Sequence, residues 1–485
     1  MGEQIADEHF SEDDRAAFRR RLDDSLDGLA ALLRRPGFGR RATTVGAELE
    51  MFLVADGSPA PINEAVREAA ADGRVALEVG RFNLEVNLTP REVAGRPFTA
   101  VRAETREVLG LVSEASRRFG AAPVLIGILP TLRREHLDRG SITRAPRYHV
   151  LDRELVRRRT SPFRITIDGP DHCAIDADSI AVQAACCSWQ VHLVVPPDEF
   201  TATYNAAQLA TGPVLAAAGN SPLLLGSRLW QETRIALYEQ GMGDHAAGAT
   251  PRVSFGADWL RDGAIEVFAD LVRTHDSIIP VLSEEDPVAA VRAGRTPRLS
   301  ELRLHQSTVW SWNRPVYDPT GDGHLRVELR SLPSGPTPLD MAANTAFLLG
   351  LTAHLVRAGG GRTAGFPFAA ARQNFYQAAA TGLAARLRWP GEDGPCPAAD
   401  LARRLLPSAA DGLSALGVER DEADGLLSVV AERIATGRTG AHWQQRAFEA
   451  LRERSPAPRA LRDLVRRYTA LSALDQPVHT WPIPC

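Results

Sequence analysis

The chain has 485 residues, of which 44% are hydrophobic and 24% are charged, as in ordinary folded proteins. Its formal net charge of -4 argues against sequence-independent binding of nucleic acid, which needs a strong basic field. No apolar run predicts a membrane span, and residues 1–14 lack the basic and apolar segments of a secretory signal. We therefore expect a cytoplasmic protein with neither a nucleic-acid partner nor a membrane partner.

One residue type is absent from the chain: it contains no lysine, so all 56 of its basic residues are arginine. The Walker P-loop and protein kinases need a lysine at the nucleotide phosphates. Pyridoxal enzymes and Schiff-base aldolases need a lysine amine. These classes are excluded. If the protein handles a nucleotide, arginines and metal ions must bind the phosphates.

Up to residue 358 the sequence changes repeatedly between strand-like and helix-like patterns. In chain order these patterns predict a helix at Glu12–Arg35, strands at Thr44–Val54 and Arg81–Leu88, a helix at Pro97–Phe119, strands at Ala122–Leu129, Arg164–Ile167 and Ser188–Val195, helices at Glu199–Ala217, Arg228–Tyr238 and Ala264–Thr274, a strand at His324–Leu332 and a helix at Leu339–Arg357. The strands do not alternate strictly with helices, as they do in doubly wound folds. We therefore predict an α+β fold with a mainly antiparallel sheet and helices packed on it.

After Gly359-Gly360-Gly361 the sequence changes to helical segments rich in Ala, Leu and Arg. No strand-to-helix phosphate fingerprint surrounds this glycine triplet, so we interpret it as a flexible connection. The chain is thereby divided into an N-terminal helix (1–40), a core (41–358) and a helical C-terminal region (366–485). We expect the C-terminal region to pack on the core, so that the three parts form one integrated domain.

Two glutamates share one face of the predicted strand Thr44–Val54. Side chains alternate along a strand, so Glu48 and Glu50 lie on one side, with Leu49 and Met51 on the other. Neighbouring carboxylates raise each other's pKa unless a cation lies between them. For this pair taken alone, a solvated sheet face is the simpler interpretation.

Three further strands divide in the same way into an apolar and a polar face. Their polar faces carry Arg81, Asn83, Glu85 and Asn87 in the first, Ser188, Gln190 and His192 in the second, and His324, Arg326, Glu328 and Arg330 in the third. If one sheet holds all four strands, its polar face gathers glutamates, a histidine and several arginines. Such oxygen-rich ligation suits Mg²⁺ or Mn²⁺, and arginines beside the metals suit phosphoryl transfer. An exposed, salt-bridged sheet face is the alternative.

The same strands carry motifs that resemble the second glutamate–cysteine ligase family of bacteria. The motifs are Gly46-Ala47-Glu48-Leu49-Glu50, Gly80 to Asn87, Gln190-Val191-His192, Asn220-Ser221-Pro222, Arg228 to Arg234, Trp310 to Pro315, Arg326 to Arg330, and Gly335-Pro336-Thr337. The similarity runs from about Thr44 to Leu355. It continues more weakly through Arg438-Thr439-Gly440 to Pro477-Val478-His479. Each motif alone is common, and it is their number and order that argue against chance.

This resemblance implies a glutamine-synthetase-like fold, in which an antiparallel sheet forms a funnel that binds metal ions and ATP. The implied ligands of Mg²⁺ (or Mn²⁺) are Glu48, Glu50, Glu85, His192 and Glu328. Glu328 and Arg330 are the implied catalytic residues, and Arg330 is expected to hold the γ-phosphate. The other residues expected to contact substrate or ATP are Arg234, Arg81, Asn83, Gln190 and Asn220. A surface position is the alternative for Arg234.

The resemblance also implies an ATP-dependent carboxylate–amine ligase of the glutathione pathway. In such an enzyme a substrate carboxylate attacks ATP to give an acyl phosphate, and an amine then converts this intermediate into an amide. The expected partners are small molecules, namely an amino acid carboxylate, an amine and ATP, and a homo-oligomer is compatible with the sequence. Three alternatives stay open: the same chemistry with another amine or carboxylate, phosphotransfer to a stable acceptor, and a non-catalytic nucleotide-binding regulator.

Overall fold

The computed structural model describes residues 9–159, 162–243, 251–359 and 365–484. Parts of two predictions, namely residues 1–8 of the N-terminal segment and Gly360-Gly361 of the glycine triplet, lie outside the described residues. The helices are α1 (Glu12–Leu33), α2 (Asn63–Ala70), α3 (Pro97–Arg117), α4 (Pro146–Arg157), α5 (Phe200–Ala218), α6 (Thr233–Gly241), α7 (Ala264–Thr274), α8 (Pro287–Arg292), α9 (Ser300–Gln306), α10 (Pro338–Arg357), α11 (Phe368–Thr381), α12 (Ala398–Ala415), α13 (Arg420–Thr436), α14 (Gly440–Arg452) and α15 (Ala457–Ser472).

Most of the strands are short and lie in the first 330 residues. They are β1 (Thr44–Ala55), β2 (Ser58–Pro59), β3 (Val75–Leu77), β4 (Asn83–Asn87), β5 (Arg91–Glu92), β6 (Ala122–Val124), β7 (Phe163–Asp168), β8 (His172–Ala177), β9 (Trp189–Val195), β10 (Leu223–Leu224), β11 (Ser227–Arg228), β12 (Val253–Ser254), β13 (Trp310–Ser311), β14 (Asn313–Asp318), β15 (His324–Leu329), β16 (Arg386–Leu387) and β17 (Cys396–Pro397). The longest of them, β1, is the strand in which the sequence pattern places two glutamates.

An antiparallel sheet lies at the centre of the molecule and confirms the predicted fold class. Its strands follow the order β14-β15-β9-β1-β4-β3, and β2, β5 and β6 also pair with β1. Strand β1 pairs with β9 along one edge and with β4 along the other. The sheet curls into a half-barrel, and the C-terminal part of the chain is helical. The four strands with a polar and an apolar face therefore belong to one sheet.

Local sequence explains where several helices begin. The Ser11 hydroxyl accepts a hydrogen bond from the Asp14 N–H at 3.1 Å, and the Asp14 carboxylate accepts one from the Ser11 N–H at 2.8 Å, which forms a capping box before α1. Pro97 occupies the first turn of α3, where a backbone N–H is not needed. The Thr337 hydroxyl accepts from the Asp340 N–H at 3.0 Å and caps α10. These groups satisfy donors that each helix start leaves unpaired.

Two predicted elements were wrong in part. The strand predicted at Ala122–Leu129 ends at Val124, where its pairing with β1 stops. The carbonyl of the next residue, Leu125, accepts a hydrogen bond from the Tyr468 hydroxyl instead. The helix predicted at Arg228–Tyr238 begins only at Thr233, because Ser227–Arg228 pairs with Leu223–Leu224 as a small antiparallel ribbon. An apolar run alone does not distinguish a buried strand from buried irregular chain.

Helix α10 is the apolar centre of the helical layer. Among the described residues it alone has the length and composition to cross a membrane, but 78% of its most apolar window is buried inside the protein. It packs against α3, α5, α12 and α13. Its backbone meets α12 at two glycines, because a Cβ atom on Gly412 would lie 1.8 Å from the Gly350 carbonyl oxygen. The apolarity of α10 therefore serves packing within the protein.

A buried ion pair ties the C-terminal helices to the rest of the protein. Arg433 of α13 donates to Asp340 Oδ1 at 2.7 Å and to Asn344 Oδ1 at 2.5 Å, both in α10. It also donates to the Ala217 carbonyl of α5 at 3.1 Å. The side chains of Arg433 and Asp340 are almost completely inaccessible to solvent. This contact fixes α13 against two core helices, while the division of the chain into three parts stays a prediction.

Arg433→Ala should lower the free energy of unfolding by about 3–5 kcal/mol, because it leaves the Asp340 carboxylate buried without its cation. Urea denaturation of the purified protein measures this change. Arg403→Ala is the matched control, because Arg403 forms an exposed pair with Asp400 at 2.9 Å. The control should change the same free energy by less than about 1 kcal/mol. Equal effects of the two substitutions would show that the buried pair does not hold the C-terminal helices.

Candidate active site

The register of the sheet places the predicted polar side chains on one face, which we call the polar face. In β1 and β4, Glu48 lies opposite Asn87, and Glu50 lies opposite Glu85. On the other side of β1, Glu48 lies opposite Gln190 of β9. Residues that are directly opposite in neighbouring strands project to the same side of the sheet. Three strands thus contribute to one cluster of carboxylates and amides.

Strand β9 connects this cluster to β15 through His192. His192 lies opposite Glu328 in the strand pairing. Its Nε2 atom is 3.2 Å from Glu48 Oε1, and its Nδ1 atom is 3.9 Å from Glu328 Oε2. The imidazole ring therefore lies between carboxylates that belong to two different strands.

Glu328 itself lies between two arginines. Arg314 of β14 donates Nε to Oε1 at 3.1 Å and Nη2 to Oε2 at 2.6 Å, and Arg330 also donates to Oε1. Burial raises the pKa of Glu328, but the two guanidinium groups and His192 outweigh burial and hold this pKa well below its usual range. Arg314 was not predicted as a site residue from the sequence, because its pairing with Glu328 across β14 and β15 follows only from the register.

Gln190 connects Glu50 of β1 with Arg330, which follows β15. Its Nε2 donates to Glu50 Oε1 at 2.9 Å, and its Oε1 accepts from Arg330 Nη1 at 2.5 Å. Glu50 also accepts from the Ser188 N–H at 2.6 Å and from the Ser188 hydroxyl at 2.9 Å. The Nη1 atom of Arg330 therefore donates to both Glu328 and Gln190, which together hold this end of the guanidinium.

A third carboxylate, that of Glu78, lies with Glu50 and Glu85, and it was not predicted from the sequence. Glu78 follows β3, and one carboxylate oxygen from each of these three residues lies within 4.8 Å of the others. Burial, with the charge of Glu78, raises the pKa of Glu50 to about 7. Burial and the charges of Glu48, Glu78 and Glu50 raise the pKa of Glu85 well above its usual range. A divalent cation between these oxygens would remove the repulsion.

Unpaired polar atoms on the polar face also fit metal ligation. Within the described part of the chain, neither ring nitrogen of the buried His192 makes a well-aligned hydrogen bond, although Nε2 lies 3.2 Å from Glu48 Oε1. Asn83 Oδ1 is likewise buried and unpaired, while its Nδ2 donates to Cys187 Sγ at 3.3 Å. Buried polar atoms are rarely left without a partner. Oxygens of Glu, with one imidazole, form a donor set suited to Mg²⁺ or Mn²⁺.

A cavity lies beside the carboxylates at the end of β15. Its wall includes Glu50, Glu78, Arg234, Tyr238, Trp312 and Arg330. The guanidinium carbon of Arg234 lies 5.4 Å from the centre of the Trp312 ring, a cation–π contact. The wall therefore combines carboxylates, two arginines and aromatic rings, whose charges and surfaces complement phosphate and amino acid groups.

The structure does not place every predicted contact residue at this cavity. Asn83 and Arg234 line it, whereas Asn220, Arg81 and Gln190 are not part of its wall. Asn220 is fully buried, and its Nδ2 donates to the Ser334 carbonyl at 2.7 Å and to the Tyr468 hydroxyl at 2.8 Å. Arg81 is half-buried in the turn before β4. The predicted contacts of these residues with substrate or ATP stay predictions.

The antiparallel sheet and its polar face fit an ATP-dependent carbon–nitrogen ligase, and the comparison with known protein families shows that class. The sequence model of glutamate–cysteine ligase family 2 (GCS2) matches residues 44–463, which is more than half of the chain. The chain therefore belongs to the glutamate–cysteine ligase family 2. This membership confirms the resemblance found in the sequence motifs and makes the protein a carboxylate–amine ligase.

Two solved structures share this fold. A glutamate–cysteine ligase from Francisella tularensis, in complex with AMP, has a TM-score of 0.53 at 11% identity, covering 92% of this chain and 91% of that chain. A bifunctional glutathione synthetase from Pasteurella multocida has a TM-score of 0.54 at 11% identity, covering 95% of this chain and 55% of that chain. This chain thus spans about half the length of the bifunctional protein. A comparison with curated protein sequences found no match.

Glu78→Gln should weaken the binding of Mn²⁺ by about tenfold or more, because it removes one charged oxygen from the carboxylate cluster. Electron paramagnetic resonance of free Mn²⁺ during a titration measures this affinity. Glu92→Gln, at an exposed position in β5, is the control and should leave the affinity unchanged. Unchanged binding in Glu78→Gln would remove Glu78 from the set of metal ligands.

Proposed function

We propose that the protein joins a carboxylate to an amine through an acyl phosphate formed from ATP, and that glutamate and cysteine are its first candidate substrates. The observation that carries the proposal is the position of Arg330. Its Nη1 atom is held by Glu328 and Gln190, beside the crowded carboxylates of the polar face. Metal ions complement the negative charge of the carboxylates, and phosphates complement the positive charge of Arg330. Membership of the glutamate–cysteine ligase family supports the choice of substrates.

The polar face offers two groups of metal ligands. Glu50, Glu78 and Glu85 form the first group. Glu48, His192 and Glu328 form the second, in which the imidazole nitrogens face the two carboxylates. Mg²⁺ (or Mn²⁺) held by these residues would neutralise the oxygens of the β- and γ-phosphates.

The protein's own residues supply orientation and charge at the transferred group. Arg330 needs no reorganisation to meet the γ-phosphate, because Glu328 and Gln190 already hold its guanidinium. Arg314 donates to both oxygens of Glu328 and so fixes the orientation of this carboxylate. We place the carboxylate substrate in the cavity at Arg234 and Trp312, where exclusion of water would protect an acyl phosphate from hydrolysis.

The experiment that tests this function is a screen of amines with Mg²⁺, ATP and glutamate, in which ADP and phosphate are followed together. Phosphate release that appears only with cysteine, with the mass of a dipeptide, would establish glutamate–cysteine ligation. Release with another amine would keep the mechanism and change the substrate. ADP without phosphate would show phosphotransfer to a stable acceptor. Nucleotide binding without turnover, with any carboxylate and amine tested, would contradict the proposed reaction.

Arg330→Ala should lower kcat by about three to five powers of ten, as for other arginines that stabilise a transferred phosphoryl group. Glu328→Gln should abolish turnover, because it removes the charge that both arginines share. The substitution keeps the shape of the side chain, so the fold should stay intact. Arg326→Ala is the matched control, because Arg326 lies on the same strand and pairs with Asp318 at 2.8 Å. Steady-state kinetics of ADP release measures all three. Near-normal turnover in Arg330→Ala would remove Arg330 from the mechanism.

We also propose that the protein works in the cytoplasm, where ATP and small-molecule substrates are available. A role in the glutathione pathway follows if glutamate and cysteine are the substrates. Homo-oligomer formation and the expected lack of nucleic-acid and membrane partners stay predictions.

A further inference from the structure

Three sequence motifs supply no proposed ligand for a metal ion or a phosphate. They are Asn220-Ser221-Pro222, the end of Arg228 to Arg234, and Arg438-Thr439-Gly440. In the structure all three meet behind the cavity, around the buried side chain of Asn220. A chain of buried hydrogen bonds starts there and ends at Arg330.

The C-terminal helices hold Asn220 from one side. The Tyr468 hydroxyl of α15 accepts from Asn220 Nδ2 at 2.8 Å and donates to the Leu125 carbonyl at 2.7 Å. Gln444 Nε2 of α14 donates to Asn220 Oδ1 at 2.8 Å. Gly440 allows this approach, because a Cβ atom there would lie 2.2 Å from Asn220 Oδ1. Asn220 therefore depends on α14 and α15 for its position.

Glu232 connects Asn220 to the wall of the cavity. One oxygen of its carboxylate accepts from the Asn220 N–H at 2.8 Å, and the other accepts from Arg234 Nε at 3.0 Å. Glu232 is inaccessible to solvent. In a buried site, water does not replace a lost partner, so both donors depend on this one carboxylate.

Arg234 extends the chain to the backbone of Arg330. Its Nη1 donates to the Arg330 carbonyl at 3.3 Å, and its Nη2 donates to the Ser331 carbonyl. The Arg330 N–H donates to the Trp312 carbonyl at 2.9 Å, and the Trp312 ring also contacts Arg234. Three N–H groups of Arg234 are thus directed at protein acceptors. These contacts fix the backbone from which the Arg330 guanidinium projects.

We propose that Glu232 is a positioning residue for Arg330, and that the chain Tyr468–Asn220–Glu232–Arg234 makes the C-terminal helices part of the γ-phosphate site. The proposal rests on the proposed function, in which Arg330 contacts the γ-phosphate. It gives α14 and α15 a role beyond packing, because they set the position of a residue at the reacting group. Glu232 and Tyr468 act through Arg234 and touch no substrate themselves.

The test compares two nucleotides in the presence of Mg²⁺ by calorimetry: AMPPNP, which has a γ-phosphate, and ADP, which has none. Glu232→Gln retains one acceptor for two donors, so it should weaken AMPPNP binding by about tenfold and leave ADP binding unchanged. Tyr468→Phe should weaken AMPPNP binding by about threefold. Its ring stays packed between Trp443 and Trp481, so the fold should be retained.

Tyr317→Phe is the matched control for loss of a buried tyrosine hydroxyl. The Tyr317 hydroxyl donates to the Pro297 carbonyl at 2.6 Å and takes no part in the chain to Arg330. This control should bind both nucleotides like the wild-type protein. The variant with both Glu232→Gln and Tyr468→Phe should bind AMPPNP no more weakly than Glu232→Gln alone, because the two residues act in series.

Three outcomes would overturn the proposal. Equal weakening of AMPPNP and ADP would show a general structural effect, and additive losses in the double variant would show that the two residues act independently. Unchanged AMPPNP binding in both single variants would show that Arg330 does not depend on them. If the wild-type protein bound neither nucleotide, the proposed function would fail, and the positioning role would fail with it.

Discussion

Mutual repulsion among half-buried carboxylates on the polar face is the main physical constraint on this site. Glu50, Glu78 and Glu85 bring oxygens within 4.8 Å of one another, and burial raises the pKa of all three. Such a cluster is unfavourable unless cations occupy it. The apolar face of the same strands packs into the core, so the sheet cannot turn the glutamates towards solvent. We propose that metal ions and phosphates bound at the polar face relieve this constraint.

Arginine provides all of the fixed positive charge at the site, since the chain contains no lysine. A guanidinium group makes several directional hydrogen bonds in one plane, which an ammonium group does not. Arg314 and Arg330 both bind Glu328, and Arg234 reaches one carboxylate and two backbone carbonyls. These contacts hold the cations of the site in place before a nucleotide binds. Preorganised charge of this kind is the main source of catalysis in phosphoryl transfer.

Alternation along the strands was enough to predict the polar face. It assigned Glu48, Glu50 and His192 to one side, and the strand pairing places them on one side. It did not identify Glu78, which follows a short strand, or Arg314, whose partner is set by register. The hydrogen-bond partners of Asn220 could not be predicted from the sequence either, because Tyr468 and Gln444 lie in distant helices. Periodicity predicts faces, whereas long-range packing decides which faces and loops meet.

An isotope label shows whether an acyl phosphate forms, because one oxygen atom of glutamate then passes to phosphate. Turnover with glutamate labelled with ¹⁸O in its side-chain carboxylate, and with the amine found active in the screen, produces phosphate for mass spectrometry. If the carboxylate attacks the γ-phosphate at the polar face, the acyl phosphate passes one carboxylate oxygen to the phosphate that is released. We therefore predict one ¹⁸O atom in each molecule of phosphate. Phosphate without label, formed together with the amide, would contradict an acyl phosphate and the role assigned to the polar face.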